Sequence, residues 1–230
     1  MRPIIDFHAH ILPGSDHGCR DVAMALRQLD LAAEAGVDLV LGVSHYYAHV
    51  ESVEQFLQRR DRSFACLREE ISGCRKALPE VIPGAEVLVC VGLEHMEELP
   101  ALCAAGTDCL LLEMPFGTWN RRLLETMEAL AERKDIRIVL AHVDRYQPEA
   151  VEELFCMGYE GQLNAEALAG ALPRRTLLRW VQEGHICALG SDIHGTGKAY
   201  RDFRKAERRL GQELPAVMRR SAKLLRYQES

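Results

Sequence analysis

Long apolar runs are absent from this 230-residue chain. No segment approaches the roughly 20 consecutive apolar residues needed to cross a bilayer, so stable membrane insertion is not expected. The basic and apolar regions of a secretory signal are also missing. The first residues enter an extended apolar segment at once, and the expected location is the cytoplasm. Positive charge is not in excess: the formal net charge is −6, which argues against nucleic acid as the main partner. Cysteines occur at Cys19, Cys66, Cys74, Cys90, Cys103, Cys109, Cys156 and Cys187, but never with C-x-x-C spacing. That argues against a structural zinc site and predicts small buried thiols within helices and strands. Proline-rich linkers, internal repeats and low-complexity tracts are lacking too, so one domain over residues 1–230 is expected.

What the sequence does contain is a recurring unit. Seven short apolar segments each end in a residue able to bind a metal or a phosphate. They read P-I-I-D-F before His8-Ala9-His10, V-D-L-V-L-G-V before Ser44-His45, E-V-I-P-G-A before Glu86, and D-C-L-L-L before Glu113. I-R-I-V-L-A then precedes His142, Y-E-G-Q-L precedes Asn164, and I-C-A-L-G-S precedes Asp192-Ile193-His194. Between them lie helical spacings. Asp21 to Ala35 carries Val22, Leu26, Leu29 and Ala33 and stops at Gly36; Val53 to Ala77 is closed by Pro79. Further helices are predicted near Met96 to Ala104, Arg121 to Arg133, Pro148 to Met157, Arg174 to Glu183, Ala199 to Leu210 and Pro215 to Leu225. This alternation predicts an α/β fold of (β/α) barrel type, in which chemistry gathers at the C-terminal ends of the strands.

His8 and His10 stand two apart on an extended segment, so both side chains share a face and can grip one ion. Asp192 and His194 repeat the spacing on the last strand, which in a closed barrel lies beside the first. Glu86 and Glu113 follow strongly apolar runs, where a carboxylate is solvated, paired or bound to metal. The candidate ligands are His8, His10, His17, His45, Glu86, Glu113, His142, Asp192 and His194, a set too rich for one ion. Imidazoles and carboxylates without thiolates suit Mn²⁺, Fe²⁺ or Zn²⁺.

The runs Asp6-Phe7-His8-Ala9-His10-Ile11-Leu12-Pro13-Gly14-Ser15-Asp16-His17-Gly18, Ser44-His45, Pro83-Gly84-Ala85-Glu86, Leu112-Glu113-Met114-Pro115, Ala141-His142-Val143-Asp144-Arg145-Tyr146, Gln162-Leu163-Asn164 and Ser191-Asp192-Ile193-His194 resemble the PHP (polymerase and histidinol phosphatase) superfamily. Within it the chain is most similar to the bacterial manganese-dependent tyrosine phosphatases of capsule and exopolysaccharide operons, the CpsB/CapC type. The likeness runs through nearly the whole chain in order. It implies a distorted, TIM-barrel-like (β/α)7 fold, a centre of two or three divalent ions with Mn²⁺ favoured, and hydrolysis of phosphotyrosine on a cognate bacterial tyrosine kinase by a metal-activated hydroxide.

The first loop departs from that family, which commonly has two aspartates before its glycine where this chain has Asp16-His17. The resemblance makes His17 the ligand and Asp16 its supporting partner, and the histidine raises a small phosphate ester such as histidinol phosphate as an alternative substrate. Arg145, three residues after His142, is expected to bind phosphate oxygens, or else to form an ion pair with Asp144 or Glu149. Lys198 or Arg201 is expected to replace a family arginine in the last loop, and His45 to assist the leaving group. Tyr46, Tyr47, Phe116, Trp119 and Tyr146 follow ligand positions and could form an aromatic rim, Trp119 and Tyr146 foremost. No cysteine has an arginine six residues later, which excludes a cysteine-nucleophile phosphatase. An amidohydrolase would want lysine and histidine where Glu113 and Asn164 stand, and a TatD-like nuclease leaves Asp16-His17 and the Pro83 to Glu86 element unexplained. The basic last helix, with Arg219, Arg220, Lys223 and Arg226, reads as a solvated face. The sequence leaves self-association open.

Overall fold

The computed structural model describes residues 3–170 and 175–228. Strand β1 (Ile5–Ala9) is buried throughout, but its two faces differ in kind. Alternation puts Ile5, Phe7 and Ala9 on one side and Asp6 and His8 on the other, so the strand presents apolar groups on one face and polar groups on the other, all of them buried. A fully buried side chain such as Phe7 contributes about 1.5–3 kcal/mol.

The remaining strands are all parallel. β2 (Leu39–Gly42) pairs with β1 and with β4 (Glu80–Pro83), giving a three-stranded sheet in the order β1-β2-β4. β3 (His45–Tyr46), β5 (Glu86–Leu88), β6 (Cys109–Glu113), β7 (Arg137–Leu140), β8 (Glu160–Asn164) and β9 (Ile186–Gly190) form the second sheet in that order. The second and third strands expected from the sequence are therefore each broken in two. Glu86 does not close the strand of its apolar run: β4 ends at Pro83, and after Gly84 and Ala85 Glu86 opens β5 opposite His45. Hydrogen bonds cross the break, from Gly84 N to Gly42 O and from Glu86 N to Ser44 O, each 2.9 Å. The first and last strands meet through a single parallel bridge between Ala9 and Ile193, with Asp192 N donating to His8 O at 2.7 Å.

The helices α1 (Val22–Ala35), α2 (Val53–Gly73), α3 (Arg121–Ala131), α4 (Pro148–Cys156), α5 (Ala165–Ala169), α6 (Arg175–Gln182), α7 (Ala199–Leu210) and α8 (Leu214–Leu224) connect the strands. Asp21 caps α1 by accepting from Met24 N, and Gly36 ends it in the left-handed conformation. The buried stripe of α1 is Ala25, Gln28, Leu29 and Ala32, so of the expected face only Leu29 is fully buried. Ser52 and Gln55 form a reciprocal capping box on α2, which stops at Gly73, short of the expected Ala77. The helix expected over Met96 to Ala104 is replaced by 3₁₀ turns at Leu93–His95 and Leu99–Leu102, because Pro100 cannot occupy a helix interior. The expected start of α6 at Arg174 lies outside the described residues, and α5 was not anticipated. Four of the cysteines are buried, but Cys66, Cys74 and Cys156 are exposed on helices or just beyond one, against expectation. Among the described residues no helix is long and apolar enough to cross a membrane. On α8, Arg220 is not merely solvated: it donates to Ile186 O and pairs with Glu160, tying the helix to the strand starts.

The first loop lies directly against the ligand strand. A Cβ at Gly18 would fall 2.1 Å from the Cβ of His10. Gly18→Ala is expected to destabilise the fold by about 1–3 kcal/mol, read from the midpoint of urea unfolding. An unchanged midpoint would show that this loop yields freely.

Candidate metal centre

All nine expected ligands are drawn to one end of the strands. Glu86 occupies the middle. Its Oε2 lies 3.2 Å from His8 Nε2, 3.1 Å from His10 Nε2 and 3.1 Å from His45 Nδ1, while Oε1 accepts from His142 Nε2 at 2.9 Å. Glu113 Oε1 is 3.4 Å from His142 Nε2, and Asp192 Oδ1 is 3.6 Å from both His8 and His10. His194 packs its ring 4.1 Å from that of His10. His17 is exposed at the rim, stacked on His45 at 5.0 Å with an interplanar angle of 8°.

Three overlapping groups each bring their ligand atoms within 4.8 Å of one another: His8, His10 and Glu86; His45, Glu86 and Glu113; His10, His45 and His194. A divalent cation explains what hydrogen bonds do not. Glu86 Oε2 and His45 Nδ1 are buried and face each other, yet neither has a hydrogen-bond partner. Buried polar atoms are seldom left so, and a cation shared between lone pairs satisfies them together.

The surroundings aim the rings. Asp16 Oδ2 holds His10 Nδ1 at 2.8 Å and also accepts from His45 N at 3.1 Å, and its Oδ1 accepts from Gly18 N at 2.8 Å. The phenol of Tyr146 lies 3.1 Å from His142 Nδ1 and accepts from Met114 N at 3.1 Å. Tyr146 is thus buried as a support for His142, not free as a rim for substrate. Tyr46 is corrected likewise, being buried edge-on against Phe56. Trp119 donates to Pro115 O at 2.9 Å, leaving Tyr47, stacked on His45, and the exposed Phe116 as the open aromatics.

Arg145 pairs with Asp192 and not with Asp144 or Glu149, and at 40% exposure it reaches the rim of the cluster. Lys198 and Arg201 are not brought there. Lys198 is held by Glu166 at 2.6 Å and Asp202 at 3.4 Å, and Arg201, on the outer face of α7, lines a groove with Leu31, Glu34 and Arg204. Three residues outside the candidate ligand set support it: Gln162 and Asn164, which hydrogen-bond the ligands from β8, and Arg59, which donates to His45 O at 3.1 Å and Ser15 Oγ at 3.1 Å. Only the amide pair left a signal, at two-residue spacing on a strand.

Electrostatics follow from this packing. Burial alone would lower His10, but its hydrogen bond to Asp16 and the nearby charge of Glu86 outweigh that and hold it at about 10. His142 is likewise held at about 9, burial being overcome by Glu113 and Glu86. Burial pushes His45 down to about 4, so it offers a neutral lone pair at neutral pH and is poorly placed to protonate a leaving group. Glu86 stays well below the usual carboxylate range despite its burial, because of His8, His10 and His142.

Fold and site together define a TIM-barrel-like α/β protein with a candidate divalent-metal centre of imidazoles and carboxylates at its strand ends. The chain belongs to the CpsB/CapC family, described as capsular polysaccharide synthesis, whose profile matches residues 4–220. One chain from the crystal structures of YwqE from Bacillus subtilis and CpsB from Streptococcus pneumoniae, described as unique metal-dependent tyrosine phosphatases, aligns with a TM-score of 0.77 at 24% identity, covering 98% of this chain and 96% of that one. A TatD-like protein from Archaeoglobus fulgidus aligns with a TM-score of 0.56 at 18% identity, covering 96% of this chain and 99% of that one. A β-aspartyl dipeptidase from Fervidobacterium islandicum AW-1 gives 0.56 at 13% identity, covering 97% of this chain and 75% of that one. These likenesses establish the fold. No curated protein sequence matches the chain.

The raised histidines carry a prediction. Their ion pairing stabilises the metal-free fold fully below the ordinary histidine value of 6.5 and is lost as pH rises through about 9 to 10. A metal must displace those protons, so divalent-ion affinity is expected to rise with pH over this range. At neutral pH, uptake should release about two protons. Calorimetry in buffers of different ionisation heat measures this, and uptake without proton release would contradict the ligand assignment of His10 and His142.

Proposed function

We propose that the chain is a divalent-metal-dependent phosphatase that hydrolyses phosphotyrosine in a protein, its partner being a cognate bacterial tyrosine kinase of capsular or extracellular polysaccharide synthesis. The observation that carries this reading is the buried Glu86 carboxylate ringed by His8, His10, His45 and His142, with Arg145 at its rim. Membership of the CpsB/CapC family and the described activity of YwqE and CpsB support it. His8, His10, His17, His45, Glu86, Glu113, His142, Asp192 and His194 would hold two or three ions, Mn²⁺ by preference and Fe²⁺ or Zn²⁺ otherwise. Held there, divalent ions supply a nucleophile from water near neutral pH and positive charge for the phosphoryl oxygens.

The protein's own part is orientation and charge. Arg145 can turn from Asp192 to an incoming phosphate, meeting two equatorial oxygens with its planar fork. Asn164 Nδ2 keeps its bond to Asp192 Oδ2, at 3.1 Å, while Arg145 moves. A phenol has a pKa near 10, so its departure needs little proton donation, which accords with a neutral His45. Tyr47 and Phe116 offer flat faces to a phenyl ring. His17, exposed at the rim, is the residue that would favour a small ester such as histidinol phosphate instead.

The test is phosphate release by metal-stripped protein with and without Mn²⁺, on a phosphotyrosine peptide and on histidinol phosphate. Mn²⁺-dependent preference for the peptide is expected; preference for histidinol phosphate would replace the reading. Arg145→Ala should lower kcat/KM about 100-fold with bound metal unchanged. A loss of less than about tenfold would remove Arg145 from the mechanism.

A further inference from the structure

Strand β8 carries none of the expected ligands, yet two side chains of its C-terminal half, Gln162 and Asn164, are carboxamides that reach them. We infer that Gln162 is a positioning residue that fixes the tautomer of His8 and, through Asn164, the aim of the Asp192 carboxylate. The consequence for metal binding rests on the metal-site reading above, whereas the tautomer assignment stands on hydrogen-bond direction alone.

The direction is set by groups with no choice of role. The backbone N–H of His142 can only donate, and it donates to Gln162 Oε1 at 2.7 Å. That orients the amide, leaving Gln162 Nε2 to donate to Asn164 Oδ1 at 3.0 Å. Asn164 Nδ2 then donates to Asp192 Oδ2 at 3.1 Å, consistent at the far end because an ionised carboxylate only accepts. Gln162 Oε1, being an acceptor, also faces His8 Nδ1 at 3.1 Å. His8 must therefore carry a proton on Nδ1, and in the neutral ring its lone pair lies on Nε2, facing Glu86 Oε2 at 3.2 Å. The opposite tautomer would point a proton into the cluster.

The same strand grips strained backbone. His142 and Asp192 lie at positive φ, 32° and 49°, where residues other than glycine rarely sit. Gln162 holds the amide of the first and Asn164 the side chain of the second. Space for this is made by Gly190, where a Cβ would fall 2.6 Å from both Gln162 Nε2 and the Cβ of His8. Gln162 is wholly buried, so water does not compete for these bonds.

Two-bond nitrogen–proton correlation spectra of protein labelled with ¹⁵N-histidine, at mildly alkaline pH, read the tautomer directly, and chelator competition with Zn²⁺ reads affinity. The unsubstituted protein should show His8 protonated on Nδ1, with and without Zn²⁺. Gln162→Leu should scramble the tautomer and weaken Zn²⁺ binding about 10- to 100-fold. Gln162→Glu keeps an acceptor oxygen and should restore the tautomer, which separates positioning from damage to the fold. His8 remaining protonated on Nδ1 in Gln162→Leu, or Zn²⁺ affinity there within about twofold of the unsubstituted protein, would overturn the inference. If the unsubstituted protein took up no Zn²⁺ while the tautomer still followed residue 162, the assignment of His8 would be supported and the metal reading removed.

Discussion

Glu86 is the constraint on which the rest of the structure depends. A carboxylate buried alone would cost several kcal/mol, and here it is offset by imidazoles on every open side. That arrangement explains the broken strands: only by opening β5 opposite the first residue of β3 can Glu86 face His45 while lying within reach of His8 and His10. It also explains why each ring is held from behind. His10 leans on a carboxylate, His8 on a carboxamide and His142 on a phenol, acceptors of different strength. The rings are thereby aimed alike.

The gathering of the candidate ligands was legible because each strand turns polar at its C-terminal end. A run such as Cys109 to Leu112 followed by Glu113 shows that change within a few residues. Position along the strand then gathers side chains far apart in sequence, and family resemblance divided the roles of Asp16 and His17. The helices were legible where caps were clear, as at Asp21, Gly36 and Ser52. Met96 to Ala104 misled because its apolar spacing is compatible with two short 3₁₀ turns as well as with a helix, and the decisive Pro100 lies in the first turn of the second.

The supports were not legible, because their partners are remote. Gln162 meets His8 across 154 residues and Arg59 meets Ser15 across 44, and no local pattern announces either contact. Lys198 and Arg201 misled for the complementary reason. They follow a ligand loop closely in sequence, but once α7 begins at Ala199 its register and the carboxylates of Glu166 and Asp202 decide where their charges go. Tyr146 was taken for a surface aromatic because it follows a ligand turn, although that turn folds its hydroxyl back onto His142.

The division of the strands into two sheets has a cellular consequence. His8 lies in the edge strand of the three-stranded sheet and His10 just after it, whereas His45, Glu86 and Glu113 belong to the six-stranded one. Ions shared between them would rivet one sheet to the other, and binding at 100 times the dissociation constant adds about 2.7 kcal/mol to a folded protein. Metal supply would then govern how long the chain survives proteases as well as whether it works. Scarcity of the ion would then act on the lifetime of the protein in the same direction as on its activity.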